Sequence, residues 1–205
     1  MNYRLFPLVA LLALVSCKDS DGSYDPRHDW ESRNSQWFAE MYDSAQAAIS
    51  AAKAQDPANW EANCDWRLYR SLQKSQDVQG PSTDYIVCKI LERGTGTDHP
   101  AFTDSVNVYY RAWLMDENYP NRKDSLTVFS QSYYGKFDKK TATPLGMPVT
   151  STVEGFQTAL QFMTPGDDWL IYIPQQMAYK ETSSDAVPAF STLLYELRLE
   201  SIIKR

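Results

Sequence analysis

Side chains suited to proton transfer, nucleophilic attack or metal binding are few and scattered in this chain. There are two histidines, His28 in a polar linker and His99 in a turn. No Ser/His/Asp set can be assembled, and no His/Cys spacing fits a metal site. Gly94-Thr95-Gly96 lacks the further glycines and the lysine of a phosphate loop and reads as a turn. The sequence therefore implies no metal and no cofactor. Aromatic residues are abundant instead: 13 Tyr, 8 Phe and 6 Trp among 205 residues. Such rings bury large areas and also line grooves that hold apolar ligands. At alternating strand positions they pack cores more often than they form pockets, so the residues alone leave both readings open. Tyr179 follows a strand-ending proline and falls in a loop, where packing alone explains a large ring less well. The net charge of −6 and pI near 4.9 argue against a nucleic-acid partner, which needs clustered basic surface.

The first residues stand apart from the fold. A short basic start, residues 1–4, precedes an apolar run over residues 5–15, too short for the roughly 20 residues that span a bilayer. The run ends in Leu14-Val15-Ser16-Cys17, which resembles the lipobox of bacterial lipoproteins. The resemblance implies a signal peptide over residues 1–16, lipidation of Cys17 and a membrane-anchored product. Residues 17–33 read as a polar tether with little to bury. Its Lys18-Asp19-Ser20-Asp21 start is similar to the export signals of Bacteroidetes surface lipoproteins. The implied location is the cell envelope, lipid-anchored to the outer membrane and facing either the periplasm or the cell surface. Cys64 and Cys88 remain, as a disulfide pair or as two buried thiols.

These residues need elements to position them. Trp37, Phe38, Met41, Tyr42, Ala45, Ala48, Ile49 and Ala52 recur at helical spacing and predict an amphipathic helix over 35–53, stopped by Asp56-Pro57. Trp66 to Arg70 alternates as a short strand. Residues 34–76 thus form a helical extension, and Gln79-Gly80-Pro81-Ser82 marks the boundary before a main domain over 84–205. That domain reads as strands over 85–91, 105–115, 126–129, 169–174 and 191–203, with one helical stretch over 150–163. Many strands and one short helix suggest α+β, an antiparallel sheet with a helix on one face.

The order of short motifs along this domain adds to the pattern. Leu91-Glu92-Arg93-Gly94-Thr95-Gly96 is followed by Val106-Asn107-Val108-Tyr109-Tyr110-Arg111-Ala112, then Phe129-Ser130-Gln131-Ser132. Next come Val153-Glu154-Gly155-Phe156-Gln157-Thr158-Ala159-Leu160-Gln161-Phe162-Met163, Gly166-Asp167, Ile171-Tyr172-Ile173-Pro174, Met177-Ala178-Tyr179, Val187-Pro188 and Ser191 to Leu197. In this sequence and spacing the blocks resemble the FKBP-type peptidyl-prolyl isomerases. The resemblance implies a twisted antiparallel sheet of five to six strands wrapped around one short helix, preceded here by the helical segment. It implies a substrate pocket with Tyr110, Phe129 and Tyr179 at its working surface and Ser130, Val153, Phe156, Val187 and Tyr195 around them. It further implies that the Val153 N–H and the Tyr179 hydroxyl bond ligand carbonyls. The chain departs from the family pattern at Tyr109, where the family has His, at Ser130, where it has Asp, at Phe156, where it has Trp, and at Lys180, where it has Gly. A longer segment over 133–147 leaves one further pocket aromatic without a counterpart, Leu145 being the candidate.

The implied activity is cis–trans isomerisation of X–Pro bonds in exported proteins, with proline-containing polypeptides as partners. No acid, base, nucleophile or metal is needed for it. The alternative is a catalytically weak polypeptide-binding or chaperone module on the envelope, suggested by Ser130 and Lys180. A third reading, a glycan- or partner-binding surface, starts from Trp30, Trp37, Trp60 and Trp66. The Trp37-Phe38 end of the N-terminal helix needs a partner surface, in its own domain or in another subunit, and the helix is also a candidate for pairing two chains as a homodimer.

Overall fold

The computed structural model describes residues 27–117 and 126–204. Cys17, the signal peptide and most of the tether lie outside the described residues. The chain runs α1 (Trp30–Gln55), α2 (Trp60–Asn63), β1 (Trp66–Arg70), β2 (Tyr85–Glu92), β3 (Ser105–Met115), β4 (Leu126–Gln131), β5 (Leu145–Pro148), α3 (Glu154–Phe162), β6 (Asp168–Ile173) and β7 (Leu193–Ile203). Among the described residues the strands form one seven-stranded sheet in the order β1-β2-β6-β7-β3-β4, with β5 also pairing β3. All pairings are antiparallel. The α+β expectation holds, with one strand more than the upper count.

The sheet has a helix on each face, and the period-two alternation of its strands decides which residues meet which helix. One set points to α3. Ile86, Cys88 and Ile90 of β2, Ile171 and Ile173 of β6, and Leu193, Tyr195, Leu197 and Leu199 of β7 pack against Phe156, Ala159, Leu160 and Met163. The other set meets α1. Trp30 and Trp37 pack with Met115, Leu194, Trp113, Leu170 and Tyr172, and Phe38 and Ala45 pack with Val87, Trp66 and Leu68. Strand β6, Asp-Trp-Leu-Ile-Tyr-Ile, is nearly all apolar because both its faces are covered. Gly155 is required where α3 meets β6. A Cβ there would stand 2.3 Å from Ile173 Cγ2, inside a fully buried contact.

Two boundaries differ from the sequence expectation. The helix begins at Trp30, so the last residues of the 17–33 tether belong to α1. Residues 34–76 are not a purely helical extension: β1 pairs with β2 in register Trp66↔Lys89 to Arg70↔Tyr85. The turn near Gly80 is therefore the tip of a wide hairpin loop rather than a domain junction. Its ends are closed by Ser71 N–H donating to Asp84 O at 2.8 Å and by an Arg70–Asp84 ion pair at 3.1 Å. The stop at Asp56-Pro57 is where expected, and Asp56 Oδ1 accepts from the N–H groups of Ala58 and Asn59 to turn the chain.

Trp30 and Trp37 are interior residues of this packing, which removes half of the tryptophan set that suggested a binding surface. The Trp37-Phe38 end of α1 finds its partner surface in the same chain's sheet, the own-domain alternative of the two. Cys64 and Cys88 are free and buried, the thiol alternative of the two. Burial pushes the Cys88 thiol well above its ordinary pKa, so it is an inert packing group.

Candidate functional site

At one end of α3 the sheet curves around a hollow of about 490 Å³. Tyr110 of β3, Phe129 and Ser130 of β4, Val153 and Phe156 at the start of α3, Tyr179 and Val187 of the β6–β7 loop, and Tyr195 of β7 all line it. Residues spread over 86 positions of sequence thus reach one cavity, because β3 and β7 are paired neighbours with Ala112 opposite Tyr195. All eight pocket residues that the resemblance assigned border this hollow; the further candidate Leu145 does not.

Three pairs of the lining rings meet edge to face. Phe156 and Tyr195 have centroids 5.1 Å apart at 77°, Phe129 and Tyr195 5.9 Å at 84°, and Tyr110 and Phe156 6.4 Å at 85°. This is the favoured geometry for ring quadrupoles and fixes the cavity walls. Tyr195 lies at the centre, 7% exposed, and burial raises its phenol pKa, with Tyr179 and Tyr110 adding to the shift. Phe156 forms the floor from the first turn of α3, 3% exposed. Tyr179 is 42% exposed at the rim, its position set by the short helical turn Gln175–Met177 after Pro174.

Polar groups at the hollow are hydroxyls and backbone. The Tyr110 hydroxyl lies 2.9 Å from Ser130 Oγ. Val153 is the N-cap of α3, a helix end whose first N–H groups lack intrahelical partners. Among the described residues no carboxylate, amine, guanidinium or imidazole lines the cavity. Such a site can hold an apolar ring and accept or donate a few neutral hydrogen bonds. It offers no acid, base or nucleophile of ordinary reactivity.

Sequence reasoning missed five lining residues: Met147, Ser151, Thr152, Ser184 and Ala186. Met147, not the suggested Leu145, takes the wall position on β5; Leu145 is exposed. The strand carrying Met147 holds Gly146 and Pro148, which mask it as a strand. Ser184 and Ala186 belong to a polar turn closed by Ser184 N–H donating to Val187 O at 2.8 Å, with no periodicity to reveal it. The departure at Lys180 has a visible geometric meaning. Its φ of 57° is left-handed, a region that favours glycine.

Residues 96–200 match the FKBP-type peptidyl-prolyl cis-trans isomerase family. The chain is 34% identical over 116 residues to the FKBP-type 22 kDa peptidyl-prolyl cis-trans isomerase of Escherichia coli, covering 56% of this chain and 48% of that protein. It is 34% identical over 118 residues to the peptidyl-prolyl cis-trans isomerase Mip of Coxiella burnetii, covering 57% of this chain and 44% of that one. The chain therefore spans about half the length of these relatives. The crystal structure of the three FKBP domains of wheat FKBP73 superposes with a TM-score of 0.50 at 24% identity, covering 68% of this chain and 52% of that one, and this likeness concerns the fold alone.

Proposed function

Because this chain belongs to the FKBP-type peptidyl-prolyl cis-trans isomerase family, we propose that it catalyses cis–trans isomerisation of X–Pro bonds in exported polypeptides, using the aromatic hollow. The observation that carries the reading is the convergence of Tyr110, Phe129, Phe156, Tyr179 and Tyr195 on one cavity.

Rotation about an X–Pro bond crosses a barrier of about 18–20 kcal/mol, because the planar amide is held by resonance. That resonance places negative charge on oxygen, so water stabilises the planar dipole more than the twisted amide. In an aromatic cavity the planar form loses this advantage. A hollow shaped to a twisted prolyl ring binds the transition state better than either ground state, which is the requirement for rate acceleration. Phe156 supplies the floor for the pyrrolidine ring; Phe129, Tyr195 and Tyr110 supply the walls. The Val153 N–H and the Tyr179 hydroxyl bond the flanking carbonyls, and Ser130 and Val187 complete the binding surface. The chemistry rests on shape and desolvation.

A protease-coupled assay on an X–Pro tetrapeptide tests the reading. Acceleration is expected at submicromolar chain, with kcat/KM reduced about tenfold or more in Phe129→Ala and several-fold in Tyr179→Phe. A folded chain giving no acceleration at micromolar concentration would overturn it.

Ser130 in place of the family's Asp supports a second reading, in which the hollow holds proline-containing segments with little turnover. It is separated from the first by the same assay run beside a peptide-binding titration. Binding without acceleration favours the module.

Cys17 after Leu14-Val15-Ser16 supports lipid anchoring at the outer membrane. Metabolic labelling with a fatty acid, abolished in Cys17→Ala, is the expected result. Pairing of two chains through α1 would have to use the helix face turned away from the sheet, and sedimentation of lipid-free protein reads it directly.

A further inference from the structure

The loop between β6 and β7 supplies Tyr179, Ser184, Ala186 and Val187 to the hollow. It is held together internally by Phe190, left-handed at φ 61°, whose N–H donates to Lys180 O at 2.7 Å. Its far end is fastened to α1, some 158 residues away in sequence. Trp30 Nε1 donates to Ser191 Oγ at 3.1 Å, and Ser191 Oγ donates onward to Pro188 O at 2.7 Å, next to Val187. Asn34 Oδ1 accepts the Thr192 N–H at 2.8 Å, Asn34 O accepts the Thr192 hydroxyl at 3.1 Å, and Asn34 Nδ2 donates to Trp30 O at 2.8 Å. Asn34 is 0% exposed.

Attachment of α1 to the sheet does not need these bonds, since Trp37, Phe38, Ala45 and Ile49 already bury an apolar face. A buried amide is costly unless satisfied, and here each side-chain polar atom of Asn34 has a partner. Such a residue fixes register: it allows one position of the helix against Ser191 and Thr192. β7 begins at the next residue, Leu193, and carries Tyr195 into the hollow.

We infer that Trp30 and Asn34 are positioning residues, through which α1 holds the β6–β7 loop and sets the rim of the prolyl hollow. The helix would then be a working part of the isomerase rather than an appended segment. This rests on the isomerase reading above.

The test uses the full chain and its variants Asn34→Ala, Trp30→Phe, Ser191→Ala and the Trp30→Phe/Ser191→Ala pair. Ala45→Gly, on the same helix face but packed with Phe38 and Val87 and absent from the hollow's lining, is the stability control. Misplacing a substrate-positioning group by about 1 Å can cost up to about 100-fold in rate. Asn34→Ala is expected to lower kcat/KM by about tenfold at a temperature where it remains folded. Ala45→Gly should lower the melting midpoint and leave kcat/KM unchanged. Trp30→Phe and Ser191→Ala should each reduce kcat/KM, and the pair should be no slower than the slower single. Hydrogen exchange over residues 179–192 should quicken in Asn34→Ala. Wild-type kcat/KM and exchange in Asn34→Ala, or rate losses that merely follow the midpoint as in Ala45→Gly, overturn the inference. If the wild-type chain accelerates nothing, the isomerase reading fails, and the exchange measurement alone then decides whether the clamp exists.

Discussion

The hydroxyls of Tyr110 and Ser130 lie 2.9 Å apart across the β3–β4 pair, so the one ring hydroxyl on β3 that faces the hollow is oriented by a neutral partner. A hydrogen bond of this kind is worth about 0.5–1.5 kcal/mol net. Ser130→Ala should therefore lower kcat/KM by roughly two- to tenfold while leaving the fold intact. The neutral partner also has a consequence for pH. With no carboxylate or imidazole in the lining among the described residues, kcat/KM should be level between about pH 6 and 9. Ser130→Asp adds a titrating group, and its kcat/KM is expected to change over the carboxylate range. A wild-type rate that bends sharply near pH 7 would mean that a group outside this lining controls turnover.

Lys180 sits in a left-handed conformation at φ 57°, with its N–H donating to Gln175 O and its carbonyl accepting from Phe190. A side chain in that region costs about 1 kcal/mol or more, partly offset for glycine by its greater loss of backbone entropy. Lys180→Gly should stabilise the protein by up to about 1 kcal/mol and raise the melting midpoint by about 2–4 °C. Both backbone bonds survive the change, so kcat/KM should not fall. A lowered midpoint would show that the lysine side chain contributes more than its backbone strain removes.

The parts of the fold legible in the sequence are those where one residue set has one job. Strand β7 alternates cleanly through Leu193, Tyr195, Leu197 and Leu199, and α3 repeats at helical spacing through Phe156, Ala159, Leu160 and Met163. The hollow became legible through motif order, since its lining residues are far apart in sequence and no local period joins Tyr110 to Tyr195. The start of α1 was hidden because Asp29 is left-handed and makes no side-chain cap, leaving no capping signature before Trp30. The β1–β2 hairpin was hidden by its wide polar loop, which has the composition of a linker although Arg70 and Asp84 close it. Met147 was hidden by the Gly and Pro beside it.

Gly155 joins the fold to the site. It lies one residue before Phe156 and against Ile173, and an added Cβ would overlap both γ-carbons of that side chain, at 2.3 and 3.0 Å. Ile173 is fully buried and cannot swing away. Gly155→Ala should therefore destabilise by about 1–3 kcal/mol despite alanine's better helix propensity. Because α3 must lift from β6 to relieve the overlap, Phe156 and Val153 move with it, and kcat/KM should fall in the folded variant. Ile173→Ala removes both γ-carbons, so the double variant should cost less than the sum of the singles. Additive losses would place the strain elsewhere.

Asp168, at the start of β6, is 4% exposed and pairs with Arg198 Nη1 at 2.6 Å, while its Oδ1 has no hydrogen-bond partner among the described residues. Burial pushes its carboxyl up to about 7, with Arg198 opposing the shift and Glu196 and Glu92 adding to it. In the unfolded chain the same group titrates near 3.9. Between those values the native state keeps a proton that the unfolded state releases, so the contribution to stability is full below about pH 4 and is lost as pH rises through 7. Asp168→Asn cannot ionise. Its unfolding free energy relative to wild type, measured by denaturant titration at pH 4.5, 6 and 7.5, should improve steadily with pH. Arg198 retains Glu196 as a partner in that variant, which limits the loss from the broken pair. Parallel stability curves for the two proteins would mean that Asp168 is ionised in the native state throughout, held so by Arg198 against the cost of its burial.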